Sequence, residues 1–254
     1  ARAVPLEPMP NRRKDMVMLA FCSVVAALIL AMIGMAQYAA LIKFWPYNLE
    51  FTFANYNFDI ANGGGWDAYF NSIRMALYTA VTGALVIFFG ACLLGKGRGF
   101  QFGRSVFHGF AMLPLAVPGM VLGLSYIFFF NNPANPFNFI YGTMIILVVS
   151  TIAHFYTVSH LTAVTALKQM DSEFEAVAAS LKTPFYKTFF KVTIPVCLPA
   201  IMDIFIYLFL NAMTTVSAVV FLYSTDTQLA SVAVLNMDDQ GELPFAAAMA
   251  MMIA

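Results

Sequence analysis

Charge is what this sequence has least of. Only 10% of its 254 residues are Asp, Glu, Lys or Arg, against about 25% in soluble domains, while 61% are hydrophobic. That balance excludes a soluble domain and requires a bilayer. Thirteen basic residues offset thirteen acidic ones, so no net basic field exists to attract nucleic acid. Cysteine is equally sparse. Cys22, Cys92 and Cys197 lie far apart in or beside apolar runs and form no CxxC, which argues against a disulfide framework or a zinc site. The three histidines, His108, His154 and His160, do not have the i,i+3 or i,i+4 spacing of helical metal ligands. The apolar runs hold neither a Ser/His/Asp set nor paired carboxylates. No catalytic residue, metal or cofactor is expected, and the chain is not expected to be an enzyme.

What is there is a series of long uncharged stretches. About 20 apolar residues span the hydrocarbon core as a helix. The pattern predicts spans at about 16–42, 75–95, 105–130, 139–167, 195–225 and 244–254. "NNPANPFN" at 131–138 divides the third from the fourth, since Pro and Asn make a turn there. The run from Pro244 is too short to cross and is expected to continue beyond Ala254. The expected fold is all-α: a polytopic bundle of six transmembrane helices, the last incomplete. Residues 1–15 form a short polar tail; the apolar run behind it is too long for a signal-peptide core.

Lys and Arg set the orientation. With the N-terminus in the cytoplasm, eleven of the thirteen fall inside, and only Lys43 and Arg74 fall outside. The segment at 168–194 then faces the cytoplasm. Trp45, Tyr47, Trp66 and Tyr69 suit the outer interface. "GACLLGKG" at 90–97 nearly matches a phosphate-binding loop, but Gly97 replaces the hydroxyl residue and the segment closes a membrane helix. "PLAVPGMVLGLSYIFFF" at 114–130 packs two prolines and a GxxxG (Gly119, Gly123) into one span. Either tight packing or a broken helix beside a moving pathway accounts for it.

The 168–194 segment is built differently. Asp171 or Ser172 can cap a helix, Glu173 and Glu175 occupy its first turn, and "AVAASL" supplies helix formers. Thr183-Pro184 ends that helix. "FYKTFFKV" follows, with Phe185, Phe189 and Val192 on one face and Lys187 and Lys191 off it; Pro195 and Pro199 lead back into the membrane. Pattern alone allows an amphipathic surface helix held by lipid head groups, or a knob for a cytoplasmic partner.

The segment resembles the EAA loop of the membrane subunits of type I ABC importers. Glu175, Ala176, Ala178, Ala179, Ser180, Leu181, Lys182, Phe185, Phe189, Val192, Ile194 and Pro195 fit or align with that pattern. Two positions depart from it. The family's glycine falls on Lys182, which implies a different bend between the short helices, and its signature glutamate falls on Ala176, beside Glu175. The resemblance implies a permease of the bacterial inner membrane with coupling helices for a cytoplasmic ATPase. It also implies a second membrane domain (homodimer, heterodimer or fusion) and a periplasmic solute-binding protein as partners. "EAVAASLK", "TIPVCLPAIMDI", "NAMTTVSAVVFLYS" and "LASVAVLNMDD" resemble permeases for 2-aminoethylphosphonate, themselves similar to ferric-iron and polyamine permeases. An ion-coupled secondary transporter is the rival, but it would want a charge deep in the bilayer. Asp203, the one acid near a span interior, sits close to the cytoplasmic end.

The fifth span carries Tyr207, Asn211, Thr214 and Thr215 at 0, 4, 7 and 8, with Ala218 at 11. Continuous helix would place them on one face. Interhelical hydrogen bonding and the lining of a solute path both fit that stripe.

Overall fold

The computed structural model describes residues 11–60, 64–96, 101–170 and 173–254, and omits the side chains of Lys96, Gln101, Glu175, Ala179 and Phe185. Most of the polar tail, the glycine-rich turn at 61–63, Gly97, Arg98, and the cap candidates Asp171 and Ser172 lie outside these residues. The chain is a helical membrane bundle, as its composition requires.

Helix α1 runs Arg12–Ala40. The Asn11 side chain starts it, accepting from the Arg13 and Lys14 amides at 3.2 and 3.4 Å. A small antiparallel hairpin follows, β1 (Ile42–Phe44) and β2 (Asn48–Phe51), with Ile42 opposite Phe51. Lys43 donates to Glu50 across it at 2.6 Å. That hydrogen bond, and then the ammonium charge, holds the Glu50 carboxyl below its usual range. Buried Asn55 ties the hairpin to the end of α1, its amide donating to the Ala40 and Ile42 carbonyls at 2.9 and 2.7 Å.

Helix α2 (Gly65–Lys96) is the central post. It packs on the helices of one cluster around Ile87, Ala163 and Ile204, and on a second cluster around Met75, Leu147 and Leu222. Helices α3 (Gln101–Ala116) and α4 (Gly119–Phe130) meet at 109°. Pro118 has no amide hydrogen to extend α3 and disfavours helical geometry at Val117, so the expected span 105–130 is broken there. The GxxxG is a close-packing device as well. A Cβ on Gly123 would lie 3.2 Å from the Ala218 carbonyl oxygen, and one on Gly119 would meet the Ser217 side chain.

The fourth expected span is two helices, α5 (Met144–His154) and α6 (Tyr156–Gln169), bent by 57° at Phe155. The Thr151 hydroxyl donates back to the Leu147 carbonyl at 2.7 Å one turn earlier, a pattern that bends helices. Short helices α7 (Glu173–Ser180) and α8 (Phe185–Thr188), a π-helical turn at Phe189–Thr193 and α9 (Ile194–Val196) make the following loop. The chain then bends by 69° into α10 (Leu198–Thr214).

The fifth span departs from expectation. The predicted run to 225 is helical only as far as Thr214; turns follow, then a 3₁₀ turn at Thr225–Thr227, α11 (Ala230–Asp239) and α12 (Leu243–Ile253). Non-helical backbone inside a bilayer must find partners within the protein. Here the Ser231 hydroxyl donates to the Thr215 carbonyl at 2.6 Å and the Ser150 hydroxyl to the Ala218 carbonyl at 3.1 Å, both buried.

Candidate functional site

The loop at 173–197 is attached to the bundle through one side. Phe189 is buried, its ring 6.4 Å from Phe88 and 5.9 Å from Phe89 of α2. Ile194 and Cys197 join the same core, and Cys197 lies 3.4 Å from the Met170 sulfur. The other side stands clear: Val177 is 56% exposed and Leu181 72%. Glu173, Phe174, Val177, Leu181, Lys187 and Lys191 border a concavity of about 500 Å³ on that face. Glu175, Ala176, Ala178, Ala179 and Ser180 all fall on α7, and Phe185 begins α8. Lys187 and Lys191 are exposed, as the pattern predicts.

Lys182 stands at the turn between α7 and α8. Its φ is +50°, the left-handed conformation that a glycine would supply at this place. The Leu181 amide closes the last α-helical turn on Val177 at 2.9 Å, and the Thr183 amide donates to Ala178 at 3.0 Å, the six-to-one bond expected past a left-handed cap. The turn between α7 and α8 is therefore made in left-handed geometry without glycine. An L-residue there costs about 1–2 kcal/mol.

On α10, Tyr207, Asn211 and Thr214 keep the predicted spacing. Asn211 donates to the Tyr207 carbonyl at 2.8 Å and Thr214 to the Leu210 carbonyl at 3.2 Å, so both polar groups are satisfied within their own helix. Tyr207 and Asn211 are half-buried and Thr214 is exposed. Thr215 does not extend the stripe: it caps the helix in extended geometry and is buried, and Ala218 lies in the turns beyond. Sequence reasoning missed the stripe's other end. Asp203 lies one turn before Tyr207, and a cavity of about 420 Å³ brings it together with Thr162, Thr165 and Gln169 of α6. Their 3–4-residue spacing on α6 was legible; the helix they would face was not.

A helical bundle with bent spans, a separate short-helical loop and a polar helix face describes a transport component of a membrane. The chain belongs to the family of binding-protein-dependent transport system inner membrane components, whose profile matches residues 87–254. It is 31% identical over 217 residues, 84% of its length, to the ferric transport system permease protein FbpB of Actinobacillus pleuropneumoniae. The chain spans 31% of that relative's length. Its fold is that of ABC importer membrane subunits. It matches a crystal structure of a bacterial alginate ABC transporter in complex with a pentasaccharide-bound periplasmic protein with a TM-score of 0.71, at 14% identity, covering 94% of this chain and 89% of the other. A second alginate ABC importer structure gives 0.65 at 17% identity, covering 98% and 94%. These two likenesses concern the fold alone.

Proposed function

We propose that this chain forms one half of the translocation path of an ATP-driven importer, and that α7–α9 is its contact with a separate cytoplasmic ATPase. The observation that carries the reading is the loop itself. It presents Val177 and Leu181 outward from short helices, while Phe189 roots it in α2. A second membrane domain completes the path, and a periplasmic binding protein delivers the solute to the outward side. The N-terminus is cytoplasmic, from the Lys/Arg split. The path follows the α10 face through Asp203, Tyr207, Asn211 and Thr214, with Thr215 holding the break behind it. The domain reading is a tail at 1–15, a transmembrane domain at 16–254 and the coupling loop at 168–194.

Leu181→Arg tests the docking. Leu181 is exposed, so insertion and folding should survive. A bulky charge in a fitted groove costs about 1–3 kcal/mol or more, so uptake and ATPase copurification should fall about tenfold. Wild-type copurification would remove the loop from the contact. For the solute, the ferric name of the relative favours an iron(III) cargo, and the likeness of "EAVAASLK" and "TIPVCLPAIMDI" favours 2-aminoethylphosphonate. Uptake of radiolabelled iron(III), set against growth on 2-aminoethylphosphonate as sole phosphorus source, separates them.

A further inference from the structure

A basic cavity opens where the end of α2, the start of α3 and the end of α6 converge. Its volume is about 440 Å³, and Arg104, Ser105, His108, His160 and Lys168 line it with Leu94, Gly95 and Val164. Among the described residues that border it, none is acidic. Every polar side chain present can donate a hydrogen bond, and two are permanently cationic. Arg104 is oriented by its contact with the Gly95 carbonyl at 3.4 Å. His160 is fully buried, stacked on Tyr156, and its Nε2 lies 3.4 Å from His108 Nδ1. One of these nitrogens must carry the shared proton. His160 Nδ1 is buried without a hydrogen-bond partner among the described residues. The transport path uses none of these groups, and Lys168, the first residue of the 168–194 segment, lies on α6 and outside the α7–α9 contact.

We propose that this cavity binds a phosphate-type oxyanion, held by Arg104 and Lys168 as cations and by Ser105 and His108 as neutral donors. An anion here would neutralise two cations gathered in one place, and with His108 donating to it from Nε2 the proton shared by the histidine pair would sit on His160 Nε2. Arg supplies a planar fork that fits phosphate, and Lys a point charge. The group is carried either by a phospholipid head or by a soluble phosphate, and the chemistry of the cavity is the same for both. The site is separate from the proposed ATPase contact, so its test does not depend on that reading.

The test uses the purified full chain in dodecyl maltoside with ¹⁵N-labelled histidine rings. It is titrated separately with dioctanoyl phosphatidylglycerol, with inorganic phosphate, and with dioctanoylglycerol, which has the same chains and no phosphate. The ring nitrogens of His108 and His160 should shift saturably with a phosphate-bearing ligand, while His154, outside the cavity, stays still. Response to phosphatidylglycerol alone identifies a lipid head; response to inorganic phosphate as well identifies a soluble anion. Arg104→Gln and Lys168→Gln should each weaken binding about tenfold, the loss of one charge-assisted contact. Lys168 is exposed, so its variant should fold even if the Arg104 variant does not. No shift with either phosphate ligand, an equal shift with dioctanoylglycerol, or unchanged binding by Lys168→Gln would overturn the proposal.

Discussion

Helices α1 and α2 are alike in sequence and opposite in structure. Each is long enough and apolar enough to cross a bilayer, at 29 and 32 residues. Yet every residue of α1 from Arg12 to Met35 is exposed, whereas α2 is buried along a continuous stripe. That stripe runs Ala68, Ser72, Met75, Ala76, Thr79, Ala80, Gly83, Ala84, Ile87, Phe88, Ala91 and Cys92, the three-four alternation of one helix face. Most members are small. Lipid tails are as apolar as leucine, so helices in a bilayer associate by close packing, which small residues allow. But α1 has small residues at similar spacing, Ala20, Ser23, Ala27, Ala31 and Gly34, and they are exposed, with no close packing against them among the described residues. A small-residue stripe therefore permits close packing and does not name the partner.

Matched substitutions sharpen that contrast. The largest effect should come from Ile87→Ala, which removes a fully buried side chain and should destabilise the protein by about 2–5 kcal/mol. Ile29→Ala on α1 should leave the melting temperature in detergent unchanged; equal losses would mean that α1 is packed in the folded protein. Next is Gly83→Leu. A Cβ there already lies 2.7 Å from Leu208 Cδ1 and 3.3 Å from Ile152 Cγ1, so overpacking should cost about 1–3 kcal/mol. Gly34→Leu has open space around it and should be neutral in the same melt. The smallest is Asn55→Ala, which frees the end of α1 from the hairpin at about 1 kcal/mol for each bond lost. Hydrogen exchange should rise at Ala40–Ile42 and stay flat in α2. A rise along both helices would show that they unfold as one unit.

The apolar runs were legible because hydropathy is a sum over a window. Breaks were legible only where a residue type marks them. Pro118 marks the break between α3 and α4. Nothing marks Phe155, where a hydroxyl bonds one turn back just before the bend. The end of α10 was invisible for a stronger reason. Val216 to Tyr223 is apolar and uncharged, so it reads as more helix. The Thr215 and Ala218 carbonyls accept from Ser231 and Ser150, and partners that distant in sequence leave no local pattern. The same cause removed Thr215 from the stripe that Tyr207, Asn211 and Thr214 keep. In the loop, the two short helices and their proline boundary were legible. The bend at Lys182 was not, because a left-handed lysine has no compositional signature. The meeting of His108 with His160 was likewise hidden, since spacing along one helix says nothing about contact between two.

Phe189 gives the loop a mechanical character. Close-packed interiors yield little under load. With its ring wedged against Phe88 and Phe89, and Ile194 and Cys197 in the same core, the loop is a lever clamped along one side. Force applied to the outer face at Val177 and Leu181 has nowhere to dissipate before it reaches α2. Because α2 touches both the cluster that holds the loop and the cluster at its other end, the post that would receive the push under the proposed coupling also reaches the far half of the bundle.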